Sequence, residues 1–224
     1  YFKTQITKLG VKVNLGKEVD LSVIEEIEPD ILILATGGIP TAPEIPGIGR
    51  RNVFSAPHLH RRLKTYLRFL GPRYLGWLTR FWMPLGKRVV IIGGAIQGCE
   101  LAEFLVKRGR KVTIVDTAEA LGDRLGELKK MTLLRWLANK GVTMMPGIKY
   151  EEITDKGLVV LSEEGKRQTI EVDTIVTALP LKPNNELLQS LEGKVPEIYP
   201  IGDCREPLLT LEAIADGSRI ARAI

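Results

Sequence analysis

Residues 89–92 are an unbroken run of branched apolar side chains that ends in Gly93 and Gly94, with Gly98 and a helical pattern just behind. A buried strand that runs through a glycine turn into a helix start is a device for holding an anion. The glycines let the turn close, and backbone N–H groups without an intrahelical partner point at a pyrophosphate. Asp116 closes the next apolar strand pattern, 18 residues after Gly98. A carboxylate at that place accepts hydrogen bonds from the hydroxyls of an adenosine ribose. The middle glycine place of G-x-G-x-x-G holds Ala95, whose methyl either crowds the pyrophosphate or is accommodated by a small shift. Strand, glycines, helix, strand and acid in this order point to a nucleotide. A carboxylate at Asp116 repels a 2′-phosphate, and residues 117–122 contain no arginine to offset it, so NAD is favoured over NADP. Asp116 as a cap for the turn that follows it remains open, as does a nucleotide fold that binds nothing.

Other chemistries find little support. Cys99 and Cys204 lie far apart and form no C-x-x-C pair, which excludes a dithiol centre; both are expected as small buried fillers. The two histidines, His58 and His60, do not make a multi-histidine metal site. No residue stands out as a catalytic acid, base or nucleophile, so neither a catalytic residue nor a metal ligand is assigned.

The elements that must position the glycines read as α/β. Residues 88–92, 111–115 and 142–145 are strands, with helices over residues 100–108 and 127–139 between them. The second helix is expected to turn Leu128, Met131, Leu134 and Leu137 or Ala138 inward, with Gly141 ending it. This is β-α-β-α-β, half of a doubly wound sheet. A meander over residues 148–170 follows, then a buried strand at 174–178, a short helix after Pro183, a strand at 197–201 and a helix from about Leu209. Upstream, residues 11–16 suggest a short strand, and residues 31–38 a strand buried on both faces. Ser55 is placed to cap a helix with Pro57 in its first turn.

The 224 residues carry 32 basic and 27 acidic side chains, a net charge of +5. The excess is local: residues 45–99 hold ten Lys/Arg and no Asp or Glu, which leaves 22 against 27 elsewhere. A uniformly basic nucleic-acid binder is therefore not the natural reading, and no nucleic-acid partner is expected. The basic stretch 58–82 interleaves Arg61, Arg62, Lys64, Arg68, Arg73 and Arg80 with six aromatic residues, and a second short helix is expected over residues 75–82. It reads as a solvated linker helix, a docking surface, or, with less support, a membrane-surface segment.

Residues 87–116, the ATGG of residues 35–38 with its trailing prolines, the TALPLKPN of residues 177–184 and the IGDC of residues 201–204 recur in a family pattern. Together they resemble the C-terminal half of the old-yellow-enzyme-type 2,4-dienoyl-CoA reductases and 2-enoate reductases, which are NADH:flavin oxidoreductases. The resemblance implies a Rossmann-like three-layer nucleotide-binding domain inserted into an incomplete FAD-binding domain of the disulfide-reductase type. The implied boundaries are residues 1–85 for the FAD-domain remnant with its basic linker, 86–194 for the NAD-binding domain, and 195–224 for the last FAD-domain strand and helix. It implies that Thr36, Gly37 and Gly38 lie near FAD. Gly202 and Asp203 hold the ribityl or phosphate region, Thr210 opens a helix facing the flavin ring, and Glu100 stands near the nicotinamide. Asp203 and Thr210 as helix caps, and Glu100 as a dipole partner of its helix, stay open.

The implied function is passage of hydride from NADH to FAD, feeding reduction of an enoate or enoyl-CoA at an FMN site. FMN and a 4Fe-4S cluster belong to an N-terminal barrel outside this chain. The sequence begins at Tyr1 without a signal pattern and reads as a cytoplasmic fragment, inactive by itself, that does not retain stoichiometric FAD. With its sheet neighbour missing, the strand at 31–34 is expected to expose an edge or apolar face and to drive self-association. The alternative is a non-catalytic nucleotide-binding or docking module.

Overall fold

The structure, a computed structural model, describes residues 1–67, 79, 83, 85–191 and 193–224. The chain folds as two compact units: residues 39–182, and the paired segments 1–38 and 183–224. These divisions fall at 38/39 and 182/183, where the sequence suggested 85/86 and 194/195.

The larger unit is built on a five-stranded parallel sheet. Its order is Val53–Ser55, Thr174–Thr177, Arg88–Ile92, Lys111–Val115, Thr143–Met145. Val89 through Ile92 are at most 1% exposed, so this strand tolerates no polar side chain. Alternation sorts them between two cores. Val89 and Ile91 pack with Leu105 and Leu137 from the helices Ile96–Val106 and Glu127–Asn139. Val90 and Ile92 pack with Ile153, Leu158 and Val160 from the antiparallel meander Lys149–Thr154, Gly157–Leu161, Arg167–Glu171. Helices, parallel sheet and meander are the three expected layers. Val53–Ser55, not anticipated as a strand, is held at the sheet edge by Thr174–Thr177, which draws residues 39–67 into this unit. The helix Ala56–Leu67 starts where expected: the Ser55 hydroxyl accepts from the His58 N–H at 3.3 Å. Of the helix expected over residues 75–82 only Thr79 is among the described residues, and it is helical.

Two helical expectations are corrected. The helix after the glycine turn begins at Ile96, four residues before Glu100, because Gly98 and Cys99 are buried inside its first turn. In Glu127–Asn139 the buried residues are Leu133 and Leu137, while Leu128 and Met131 are 82% and 68% exposed. The inward face is therefore the i, i+4 pair Leu133 and Leu137, with Leu134 beside it, and Leu128 and Met131 at the start of the i, i+3 stripe face solvent.

The smaller unit centres on a parallel pair, Ile31–Leu34 with Glu197–Pro200. Leu34, Ile24, Leu191 and Cys204 form its core. Residues 11–16 form no strand and are exposed; the helices Phe2–Lys8 and Leu21–Ile27 flank them, the second capped by Asp20, whose carboxylate accepts from the Val23 N–H at 3.1 Å. The strand Ile31–Leu34 is not covered on both faces. Ile31 and Ile33, which share one face, are 38% and 40% exposed. This two-stranded sheet has open edges among the described residues, and such edges recruit other chains. The chain is thus expected to self-associate as concentration rises, and Ile31→Lys with Ile33→Lys to return it to monomer. Sedimentation velocity checks this; a wild-type monomer at high concentration contradicts it. Among the described residues no helix is long and apolar enough to cross a membrane.

Candidate functional site

In the larger unit, Gly93 leaves its strand at φ +107°, and its N–H donates to the Val115 carbonyl at 2.9 Å. A Cβ on Gly98 would lie 1.8 Å from the Gly93 carbonyl oxygen; one on Gly94 would lie 2.2 Å from Leu121 Cδ2. Gly98 is thus demanded by how closely helix and strand approach one another, whereas at Gly94 a Cβ would displace the end of the Leu121 side chain in the loop after Asp116. Ala95 caps the helix with φ −68° and ψ −171°, extended backbone open to any residue. Its side chain has no oxygen to turn back on the first helical turn. The N–H groups of Ala95, Gln97 and Gly98 consequently meet no acceptor among the described residues, which leaves donors for an anion.

Asp116 does two things at once. One carboxylate oxygen accepts from the Gly94 N–H at 2.5 Å, the other from the Ala118 N–H at 2.9 Å. It therefore caps its own turn and also ties the glycine turn to the second strand. Each carboxylate oxygen accepts more than one bond, so these contacts leave capacity for ribose hydroxyls. The following loop folds back as well: Gly122 donates to the Gly94 carbonyl at 2.7 Å, and the Asp123 carbonyl accepts the Ile96 N–H at 3.1 Å. Tyr150, which the sequence did not single out, donates its hydroxyl to the Val115 carbonyl at 3.3 Å. Burial first, and the Asp116 charge second, push its phenol above the ordinary range. Its only sequence signal was an aromatic residue in an alternating strand.

Glu100 is exposed and paired with Lys129 at 2.6 Å. It borders a cavity of about 650 Å³ together with Gln97, Leu179 and the face of Ala56–Leu67 that carries His60, Arg61 and Lys64. Cys99 is fully buried, and its thiol donates to the Gly94 carbonyl at 3.2 Å. Burial raises that thiol to about 11, which keeps it protonated and inert near neutral pH.

In the smaller unit, Gly37, Gly202, Asp203 and Thr210 line one cavity of about 330 Å³. Gly37 at φ +77° has open space where a Cβ would stand, and Gly202 turns at φ +60°. Thr210 is the first residue of the helix Thr210–Ile220. Thr36 and Gly38 stay outside the lining. The Thr36 hydroxyl donates instead to the Asn184 carbonyl at 2.6 Å, and the Asn184 side-chain amide returns a bond to the Thr36 carbonyl at 3.3 Å.

A residue missed in the sequence holds this second turn. The Asp216 carboxylate is buried and accepts from the Gly202 N–H at 3.1 Å, from Arg205 at 2.9 and 3.0 Å, and from Arg219 at 2.8 Å. The arginines hold its pKa at about 2. Because the folded value is depressed, the stabilisation is present above about pH 4 and lost as pH falls through about 2. Asp216→Asn is therefore expected to lower Tm by several degrees at neutral pH, with the gap to wild type closing as pH approaches 2. A gap independent of pH in scanning calorimetry would contradict this. The sequence signal was an acid beside a glycine in the middle of an amphipathic helix.

Two glycine-shaped turns, each locked by a buried or half-buried aspartate, are what the fold presents. The family model for pyridine nucleotide-disulphide oxidoreductases matches residues 2–217. The chain belongs to that family. Pyridine nucleotide-disulphide oxidoreductases are flavin-dependent NAD(P)H enzymes, and their domain implies FAD and a pyridine nucleotide. Among curated relatives, an NADH oxidase of Thermoanaerobacter brockii is 28% identical over 222 residues, 99% of this chain and 32% of that protein. A cinnamate reductase of Clostridium sporogenes is 25% identical over 227 residues, 100% of this chain and 31% of that protein. The solved structure of a 2-naphthoyl-CoA reductase with 2-naphthoyl-CoA superposes with a TM-score of 0.83 at 29% identity, covering 100% of this chain and 31% of the other. The chain spans about a third of the length of these relatives. The resemblance to the FAD- and NAD-binding half of enoate-reductase-type enzymes is borne out, and so is the fold class. The disulphide of the family's name has no counterpart in the two distant cysteines of this member.

Proposed function

We propose that this chain is the electron-entry part of a flavin-dependent oxidoreductase, binding NADH in the larger unit and FAD in the smaller one. The observation that carries this is the glycine turn 93–98 with unpartnered donors on one side and Asp116 bound to Gly94 on the other. In this scheme residues 39–182 bind NAD, and residues 1–38 and 183–224 contribute to the FAD side. When bound, nicotinamide and flavin supply the hydride chemistry. The residues here bind and orient. Ala95, Gln97 and Gly98 offer N–H groups to the pyrophosphate, and Asp116 takes the adenosine ribose. Glu100 borders the nicotinamide end. Gly37, Gly202, Asp203 and the start of Thr210–Ile220 face FAD, with Thr36 and Gly38 bracing the strand end. Electrons would pass on to an FMN- and iron–sulfur-bearing barrel of the parent protein, in the cytoplasm, for reduction of an enoate or enoyl-CoA. The alternative is a non-catalytic module that binds ADP or nothing and serves docking; Ala95, whose methyl stands at the turn, keeps it open.

Amide hydrogen exchange tests the assignment. NADH is expected to slow exchange at Gln97, Gly98 and Ala118, and FAD at Gly202 and Asp203. An NADH complex that leaves residues 93–118 unprotected overturns it. Ala95→Gly is expected to tighten NADH several-fold in calorimetry, since relief of modest crowding contributes on the order of 1 kcal/mol less the entropy of a looser turn. Unchanged or weaker binding would show that the methyl does not meet the pyrophosphate.

A further inference from the structure

The glycine turn gives away part of its anion-binding capacity to its own chain. The Gly94 N–H is taken by Asp116, the Gly93 N–H by Val115 and the Ile96 N–H by Asp123. A dinucleotide carries two phosphate charges into this region. The cavity of about 650 Å³ that opens beside Gln97 is rimmed on its other side by Arg61, Lys64 and His60, all exposed. Among the described residues no carboxylate pairs with Arg61 or Lys64, and the one acid of the lining, Glu100, is already held by Lys129. Arg61 and Lys64 lie three residues apart on one helix, the spacing that puts two side chains on one face. An uncompensated pair of cations over a cavity with apolar walls at Leu101, Phe104 and Leu179 suits an anionic group joined to a flat, weakly polar one.

We infer that Arg61 and Lys64 bind the diphosphate of the nicotinamide nucleotide from the side opposite the glycine turn, completing an anion site that the turn supplies only in part. This rests on the nucleotide assignment above. The sequence had offered the basic stretch as a linker, a docking surface or a membrane-surface segment; here its first two turns become part of the nucleotide site.

The test is calorimetry on the 224-residue chain with two probes, NADH and adenosine, at several salt concentrations. Arg61→Gln with Lys64→Gln is expected to weaken NADH on the order of tenfold, as loss of charge-assisted contacts does, and to flatten the salt dependence. Adenosine, which has no phosphate, is expected to bind both proteins alike, and Arg61→Lys to retain most of the NADH affinity. An equal loss for NADH and adenosine would mean a disturbed fold and overturn the inference. NADH affinity and salt dependence unchanged in the double variant would also overturn it, while leaving the nucleotide assignment intact. A wild-type chain that does not bind NADH at all would remove both.

Discussion

Gly98→Ala is expected to destabilise the larger unit by about 3 kcal/mol, the upper part of the range for overpacking, and to lower Tm by about 6–12 °C. The added Cβ would stand 1.8 Å from the Gly93 carbonyl oxygen, a backbone atom that no rotamer change can move aside. Strand Arg88–Ile92 and helix Ile96–Val106 would have to separate where both are fully buried. The same separation displaces the Gln97 and Gly98 N–H groups, so NADH binding is expected to vanish with it. Gly126→Ala is the contrast: at φ −58° with no atom within 4 Å of the added Cβ, it is expected to shift stability by less than about 1 kcal/mol. Thermal unfolding of the two variants side by side checks the argument. Equal Tm values would mean that strand and helix do not approach this closely.

Asp116→Ala is expected to weaken NADH between tenfold and a hundredfold, by about 1.5–3 kcal/mol for charge-assisted hydrogen bonds lost, and to narrow its advantage over NADPH. Two effects combine. In the proposed complex the ribose would lose its acceptor, and the N–H groups of Gly94 and Ala118 lose theirs, so the glycine turn loosens too. Asp116→Asn separates the effects, because it removes the charge that repels a 2′-phosphate but keeps one oxygen for a backbone N–H. Its NADH affinity should fall less than that of the alanine variant, with a similar narrowing of the NADH-to-NADPH ratio. Titration of both variants with both nucleotides would show this. An alanine variant that binds NADH as wild type does would remove Asp116 from the site.

Much of this architecture was legible because the decisive signals are local and periodic. Val89–Ile92 with its glycines, the spacing to Asp116 and the meander each announce themselves in a short window. The start of the helix at Ile96 was hidden by Gly98 and Cys99, residues with turn-like or neutral propensity that are buried by close packing against the strand. Val53–Ser55 is too short for periodicity to reveal, and only its bond to Thr174–Thr177 makes it a strand. Leu128 and Met131 were assigned inward from spacing alone, but the crossing of their helix over the sheet decides which stripe is buried. Asp216 was invisible because its meaning comes from Gly202 and Arg205, 14 and 11 positions away in sequence. The second cavity shows the same division. Gly37, Gly202, Asp203 and Thr210, which line that cavity, were named from the resemblance, whereas the bond of Thr36 to Asn184 needed the fold.

The most direct measurement is isothermal titration of the 224-residue chain with NADH and with NADPH under identical salt. Binding of NADH in one-to-one stoichiometry, tighter than NADPH, is the predicted result, because the proposed site sets the Asp116 carboxylate against the ribose, beside a glycine turn with free donors. Failure to bind either nucleotide, or NADPH binding as tightly as NADH, would contradict the central claim that this turn and this carboxylate form the nucleotide site.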